Sequence, residues 1–117
     1  MSSPFLRRVN ESLKEAIADE VSRLTDPGLG FLTITGVDTA PDLRSARVFY
    51  SVLGGEDDAE ATAAALERAR AHIRSEVAKR VRLKYLPDLR FEPNVAIEQG
   101  LRIERLLAEI RDEEDAG

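Results

Sequence analysis

Leu6, Val9, Leu13, Ile17, Val21 and Leu24 follow one another at steps of three or four, the spacing that lines apolar side chains along one stripe of an α-helix. The pattern predicts a helix from Pro4 to about Leu24, with Ser3 as N-cap and Pro4 in the first turn, where a missing N–H costs nothing. Asp26-Pro27-Gly28 supplies the stop, because the residue before a proline is pushed out of the α region. The rhythm then changes to alternation. Phe31 to Val37 and Ala46 to Val52 are rich in β-branched and aromatic residues, and Ala46, Val48, Tyr50 and Val52 share one face. Two strands are expected, joined through Asp38 to Asp42 as an antiparallel hairpin, with Gly54-Gly55 ending the second.

Helical spacing returns from Asp57 to about Lys84. Asp57 and Glu60 stand in a capping-box relation, and Ala61, Ala65, Ala69, Ile73, Val77 and Val81 follow at strict i+4 steps. A straight helix of that length would run about 42 Å, against a globule of about 35 Å, and an i+4 line drifts around the helix by about 40° per step. A break into two shorter helices near Arg70 to His72 is therefore expected. Pro87 closes the segment, and Leu89-Arg90-Phe91 reads as a third strand that Pro93 ends or confines to a sheet edge. A last helix begins at Asn94 and carries Ile97, Leu101, Ile103, Leu106, Leu107 and Ile110, with Gly100 inside it at a cost of about 1 kcal/mol. The order is α-β-β-α-(kink)-α-β plus a C-terminal helix, an α+β fold whose helices cover one face of a three-stranded sheet. Residues 1–111 form one domain, and 112–117 are expected to be a disordered acidic tail.

Composition narrows this picture. A chain of 117 residues that is 43% apolar supports one core, and 33% charged residues suit a folded domain in water. No apolar run approaches the roughly 18 to 20 residues of a membrane span, and no signal core opens the chain, so a cytoplasmic location is expected. Without cysteine there is no disulfide framework, thiolate nucleophile or Cys-based zinc site. The net charge of −5 is unevenly distributed. Between Glu67 and Arg90 eight basic residues face three acidic ones, a local +5 that leaves −10 on the remainder. Acidic residues gather in Glu56-Asp57-Asp58 with Glu60, and in Asp112 to Asp115.

Catalytic chemistry finds little support. His72 is the lone histidine, so neither a Ser-His-Asp constellation nor a multi-histidine metal site can be assembled, and its setting on an amphipathic helix suits a boundary residue. Asp57 and Asp58 sit in a charged, Gly-rich stretch with nothing apolar to raise a carboxyl pKa. The spacings Gly28-Leu29-Gly30 and Gly54-Gly55 fit no nucleotide-binding fingerprint. Arg7, Arg8, Lys14 and Arg23 on the first helix are offset by Glu11, Glu15, Asp19 and Glu20, which favours a solvated, salt-bridged face. The basic segment stands out. Arg70 and Arg74 lie one turn apart, while Lys79, Arg80, Arg82 and Lys84 crowd the end of the helical region. Helix-dipole matching explains two or three of these cations; a local +5 interleaved with Leu83, Tyr85 and Leu86 favours phosphate contact. For Tyr85 a core role outweighs base stacking. A module that recruits a protein through its open sheet or first helix is the main alternative, and an enzyme the remote one.

An α-β-β-α-α-β order with a basic second helical region resembles the type II KH fold, an RNA-binding architecture, although no two glycines here stand three apart to form its Gly-x-x-Gly loop. That combination is similar to the ribosome-binding factor A family, which lacks the loop. The matching residues are Asp26-Pro27-Gly28-Leu29-Gly30, and Arg82-Leu83 through Pro87-Asp88-Leu89-Arg90-Phe91. Weaker matches are Arg8-Val9 with Glu11, Ile73-Arg74-Ser75, and Gly100 with Arg102. The resemblance implies a non-enzymatic factor, without cofactor or metal, that binds the immature small (30S) ribosomal subunit, helps 16S rRNA mature and supports growth in the cold. It implies 16S rRNA and that subunit as partners and no membrane; a monomer is expected when free. The candidate RNA-binding residues are Arg70, Arg74, Lys79, Arg80, Arg82 and Lys84, joined by Arg7 and Arg8 of the first helix. The family's Ala-x-Gly kink maps onto Ala69-Arg70-Ala71, where alanine replaces glycine and favours helix by about 1 kcal/mol.

Overall fold

The computed structural model describes residues 3–94, 106–108, 110 and 111. Helix α1 spans Pro4–Ser22; the Ser3 hydroxyl accepts the Leu6 N–H at 3.1 Å and Pro4 occupies the first turn, as the sequence leads one to expect. Strands β1 (Phe31–Thr39) and β2 (Ser45–Leu53) form the anticipated antiparallel hairpin, each reaching slightly beyond its apolar alternation. An irregularity between Ile34 and Gly36 inserts Thr35 as a bulge. Strand β3 (Asp88–Pro93) lies parallel to β2, giving the sheet order β1-β2-β3 with Pro93 on an edge strand.

The break expected near Arg70 to His72 does not occur. Helix α2 runs unbroken from Glu56 to Ala78, 23 residues, and ends before the basic cluster at Lys79 to Lys84. Two physical features explain the difference. Alanines at 69 and 71 supply the strongest helix former where a glycine would have favoured bending. The drift of the i+4 line is absorbed by a change of line: Thr62 and Leu66 are buried in the first half, and Ala65, Ile73 and Val77 continue the contact through partly buried Ala69. The start also differs. Gly55 is the N-cap, and the Asp58 carboxylate, not Glu60, accepts the cap N–H at 3.2 Å.

Both helices pack on one face of the sheet. Val9, Leu13, Ile17 and Val21 of α1 and Leu66, Ile73 and Val77 of α2 enclose Ile34, Ala46, Val48, Tyr50 and Leu89. The opposite face carries Asp38, Arg47, Phe49, Arg90 and Glu92, where Arg47 pairs with Glu92 at 2.8 Å and lies 4.9 Å over the Phe49 ring. Asn94 follows β3, donating its N–H to the Tyr50 carbonyl at 2.7 Å and its side-chain N–H to Thr35 Oγ1 at 3.0 Å. Leu106, Leu107, Ala108, Ile110 and Arg111 are helical; the rest of the expected C-terminal helix and the acidic tail lie outside the described residues.

The Asp26-Pro27-Gly28-Leu29-Gly30 motif clamps the α1–β1 connection onto α2. The Asp26 carboxylate accepts the Gly28 N–H at 2.8 Å and two guanidinium N–H bonds from Arg68 at 3.0 Å, and Gly30 donates its N–H to the buried Thr62 hydroxyl at 3.3 Å. A Cβ on Gly28 would press within 3.1–3.2 Å of the Ala61 carbonyl, the Arg68 guanidinium and the Asp26 carboxylate, so the close approach of the turn to α2 favours glycine. The Gly28 N–H, and after it Arg68, hold the Asp26 carboxyl below its ordinary range against partial desolvation.

Two outcomes are expected. Ile73→Ala, which truncates a fully buried side chain between α2 and the sheet, should lower unfolding free energy by about 2–5 kcal/mol in urea titrations with an unchanged m-value. Asp26 has a lowered folded pKa, so its stabilisation is complete above the unfolded carboxyl pKa near pH 4 and fades as pH falls through the folded value. The difference in urea midpoint between the wild type and Asp26→Ala should therefore be large at neutral pH and shrink as pH falls below about 4; an equal gap at both extremes would contradict the clamp.

Candidate nucleic-acid interface

The segment 79–87 between α2 and β3 carries four of the candidate cations. Its path is set by two arginines. Arg74, on α2, donates to the Leu86 carbonyl at 2.7 Å and to the Pro87 carbonyl at 3.4 Å, tying the far end of the segment to the helix. Arg80 reaches α1, pairing with Asp19 and with Glu20 at 2.9 Å. The Glu20 side chain is only 6% exposed, and Arg23 also reaches it, at 3.7 Å from within α1. The Asp19 carboxyl is held below its ordinary range, first by the hydrogen bond from Arg80 against partial desolvation, then by the charges of Arg23 and Arg80. Arg80 in turn is held above its ordinary value, chiefly by Asp19.

The remaining candidates divide into two groups. Arg70 pairs with Glu67 at 3.2 Å and Lys79 with Glu76 at 2.9 Å, each one helical turn away, so a phosphate approaching either cation would also meet a carboxylate. Lys79 holds Glu76 below the usual carboxylate range. Arg7, Arg8, Arg82 and Lys84 are exposed and form no ion pair among the described residues; Lys84 lies 5.7 Å over the Tyr85 ring.

Arg8 and Arg82, 74 positions apart in sequence, flank one groove. It is about 720 Å³ in volume, open to solvent, and runs between α1 and residues 80–83. Val9, Ala16, Val81 and Leu83 supply its apolar lining, Phe5 stands 51% exposed, and Ser12, Glu15 and the paired Asp19 and Arg80 complete it. Arg7 and Arg8 are among the candidates read from the sequence, but spacing alone does not reveal this convergence, because residues 74 positions apart are brought together only by tertiary packing. Arg70 and the guanidinium of Arg74 do not border the groove. Tyr85 corrects another expectation: it is 75% exposed, since Leu86 and Leu89 on either side of Pro87 fill the adjacent core. Among the described residues no cluster of three or more His, Asp or Glu side chains offers a metal site, and no helix is long and apolar enough to cross a membrane.

Comparison with known proteins agrees with this architecture. The family model described as ribosome-binding factor A matches residues 6–107. The chain is 43% identical over 118 residues to ribosome-binding factor A of Rubrobacter xylanophilus, an alignment that covers 100% of this chain and 96% of that one. The crystal structure of ribosome-binding factor A from Thermus thermophilus superposes with a TM-score of 0.68 at 33% identity, covering 75% of this chain and 94% of that one. A homology model of the Thermus thermophilus factor, fitted into the cryo-EM map of its complex with the 30S subunit, aligns with a TM-score of 0.60 at 35% identity over 71% of this chain and 88% of that one. With the family model matching residues 6–107 and a relative 43% identical across its full length, the chain belongs to the ribosome-binding factor A family.

Proposed function

We propose that this protein binds the rRNA of the immature small ribosomal subunit through the groove between α1 and residues 80–83, and that it acts as a non-enzymatic assembly factor during 16S rRNA maturation. The observation that carries the proposal is the convergence of Arg8 and Arg82 on that open groove, while Arg70, Lys79 and Arg80 are matched by carboxylates of the protein itself. Unpaired, exposed guanidiniums release phosphate counterions at little internal cost, and Arg7 and Lys84 are likewise exposed cations without an ion pair among the described residues. The −5 net charge limits non-specific attachment to polyanions, so binding is confined to the face where cations are free. The relative fitted into a map of its 30S complex supports the small subunit as the partner, and rRNA would offer abundant phosphate to such a face.

Arg74 and Arg80 serve this function indirectly, by fixing the connector that displays Arg82. Replacing them would confound loss of contact with loss of shape. The informative variant is Arg8→Glu with Arg82→Glu, because both side chains are exposed and make no ion pair among the described residues. Co-sedimentation with immature small subunits at moderate salt should fall by roughly tenfold or more, with thermal unfolding unchanged. Undiminished co-sedimentation of the folded double variant would place the contact elsewhere.

A further inference from the structure

Beyond the groove, a second cleft of about 500 Å³ is formed where the β1–β2 connection meets the connector before β3. Asp42, Leu43 and Arg44 line one side; Leu83, Lys84, Tyr85 and Leu86 line the other. Both sides are held in place by the backbone. Asp88 donates its N–H to the Arg44 carbonyl at 2.9 Å, Leu43 donates to the Ala40 carbonyl at 2.8 Å, and the Arg44 N–H donates to Asp42 Oδ1 at 3.1 Å. Leu43 adopts φ 61°, a left-handed conformation that a branched side chain disfavours and that persists only where its surroundings impose it. Arg74, bonded to the Leu86 and Pro87 carbonyls, fixes the opposite wall.

Within this frame stands Tyr85, an aromatic ring left 75% exposed beside two cations, Lys84 and Arg44, neither of which forms an ion pair among the described residues. A ring so exposed buries little apolar surface in the core. Every nucleobase presents a π-face to a ring of this kind, and the adjacent charges suit the phosphates on either side of a stacked base. The Asp42 carboxylate is turned to its own loop by the Arg44 N–H and so is partly occupied. Leu83 lines both the cleft and the arginine groove, which sets the two surfaces next to each other.

We propose that Tyr85 is a stacking platform for one unpaired base of the bound RNA, with Arg44 and Lys84 holding the neighbouring phosphates. The proposal rests on the rRNA-binding reading above and deepens it: the ligand is single-stranded at this point, and base-paired RNA, whose bases are already stacked, cannot use the platform.

The chain contains no tryptophan, so Tyr85→Trp provides a single reporter at the platform. Its fluorescence should be quenched on titration with a short single-stranded RNA and unaltered by a blunt hairpin of the same composition. Tyr85→Phe should bind the single strand like the wild type, whereas Tyr85→Ala should bind it roughly ten- to a hundredfold more weakly, with hairpin affinity and thermal unfolding unchanged. Tyr85→Trp fluorescence that stays constant at saturating single strand, or a Tyr85→Ala loss equal on both RNAs, would overturn the platform. So would a Tyr85→Ala variant that keeps its RNA affinity but no longer binds small subunits, which would assign the cleft to a ribosomal protein. Measured in parallel, Arg8→Glu with Arg82→Glu separates the two readings. If that variant loses subunits while Tyr85→Ala behaves as wild type, only the platform falls; if it retains them, the broader reading falls whatever Tyr85 does.

Discussion

The bridge from Arg80 to Asp19 and Glu20 is the interaction on which the candidate interface depends. From Arg80 to Asp19 it spans 61 positions of sequence, from the end of one helix to the start of the segment that leaves the other. Glu20 is buried near the end of α1, and its carboxylate meets Arg23 of the same helix at 3.7 Å and Arg80 at 2.9 Å. Arg80 comes from outside the helix and, in pairing there, draws residues 80–83 against α1. Arg74 completes the arrangement by taking up the Leu86 and Pro87 carbonyls, which lie where no strand or helix partner is on hand. With both ends held, Arg82 is presented across a groove from Arg8, and Tyr85 is turned outward.

This division of labour changes what a basic segment means. Eight cations between Glu67 and Arg90 look alike in a count of charges. In the fold, Arg68 holds the first loop, Arg74 and Arg80 shape the connector, and Arg70 and Lys79 face carboxylates one turn away. Three of the eight, Arg82, Lys84 and Arg90, form no ion pair among the described residues and are left to attract a polyanion. Arg8 of α1, brought alongside by packing, joins Arg82 at the groove.

The elements themselves were legible because period and punctuation agree with tertiary packing. Ser3-Pro4 starts a helix, alternation over Ala46 to Val52 marks the inner face of the central strand, and Pro93 falls on an edge. The α2 break was misread because a strict i+4 line suggests curvature, whereas the burial line shifts from Thr62 and Leu66 to Ile73 and Val77 on a continuous helix. The site was less legible for a different reason. Which arginine meets which carboxylate is decided by contacts between distant segments, and neither the Arg80–Glu20 pair nor the use of Arg74 on backbone carbonyls leaves a local spacing to detect. Tyr85 likewise reads as core until Leu86 and Leu89 are seen to fill that space.

The central claim is that the protein's own carboxylates and carbonyls sort its cations into those engaged in the fold and those open to phosphate. The salt dependence of binding to immature small subunits counts the latter directly. A plot of log affinity against log salt concentration should lose roughly one unit of slope in Arg82→Gln, and likewise in Arg8→Gln, while Lys79→Gln and Arg70→Gln keep the wild-type slope. An equal loss of slope in all four variants would show that the internal pairs open on binding, and would contradict the account.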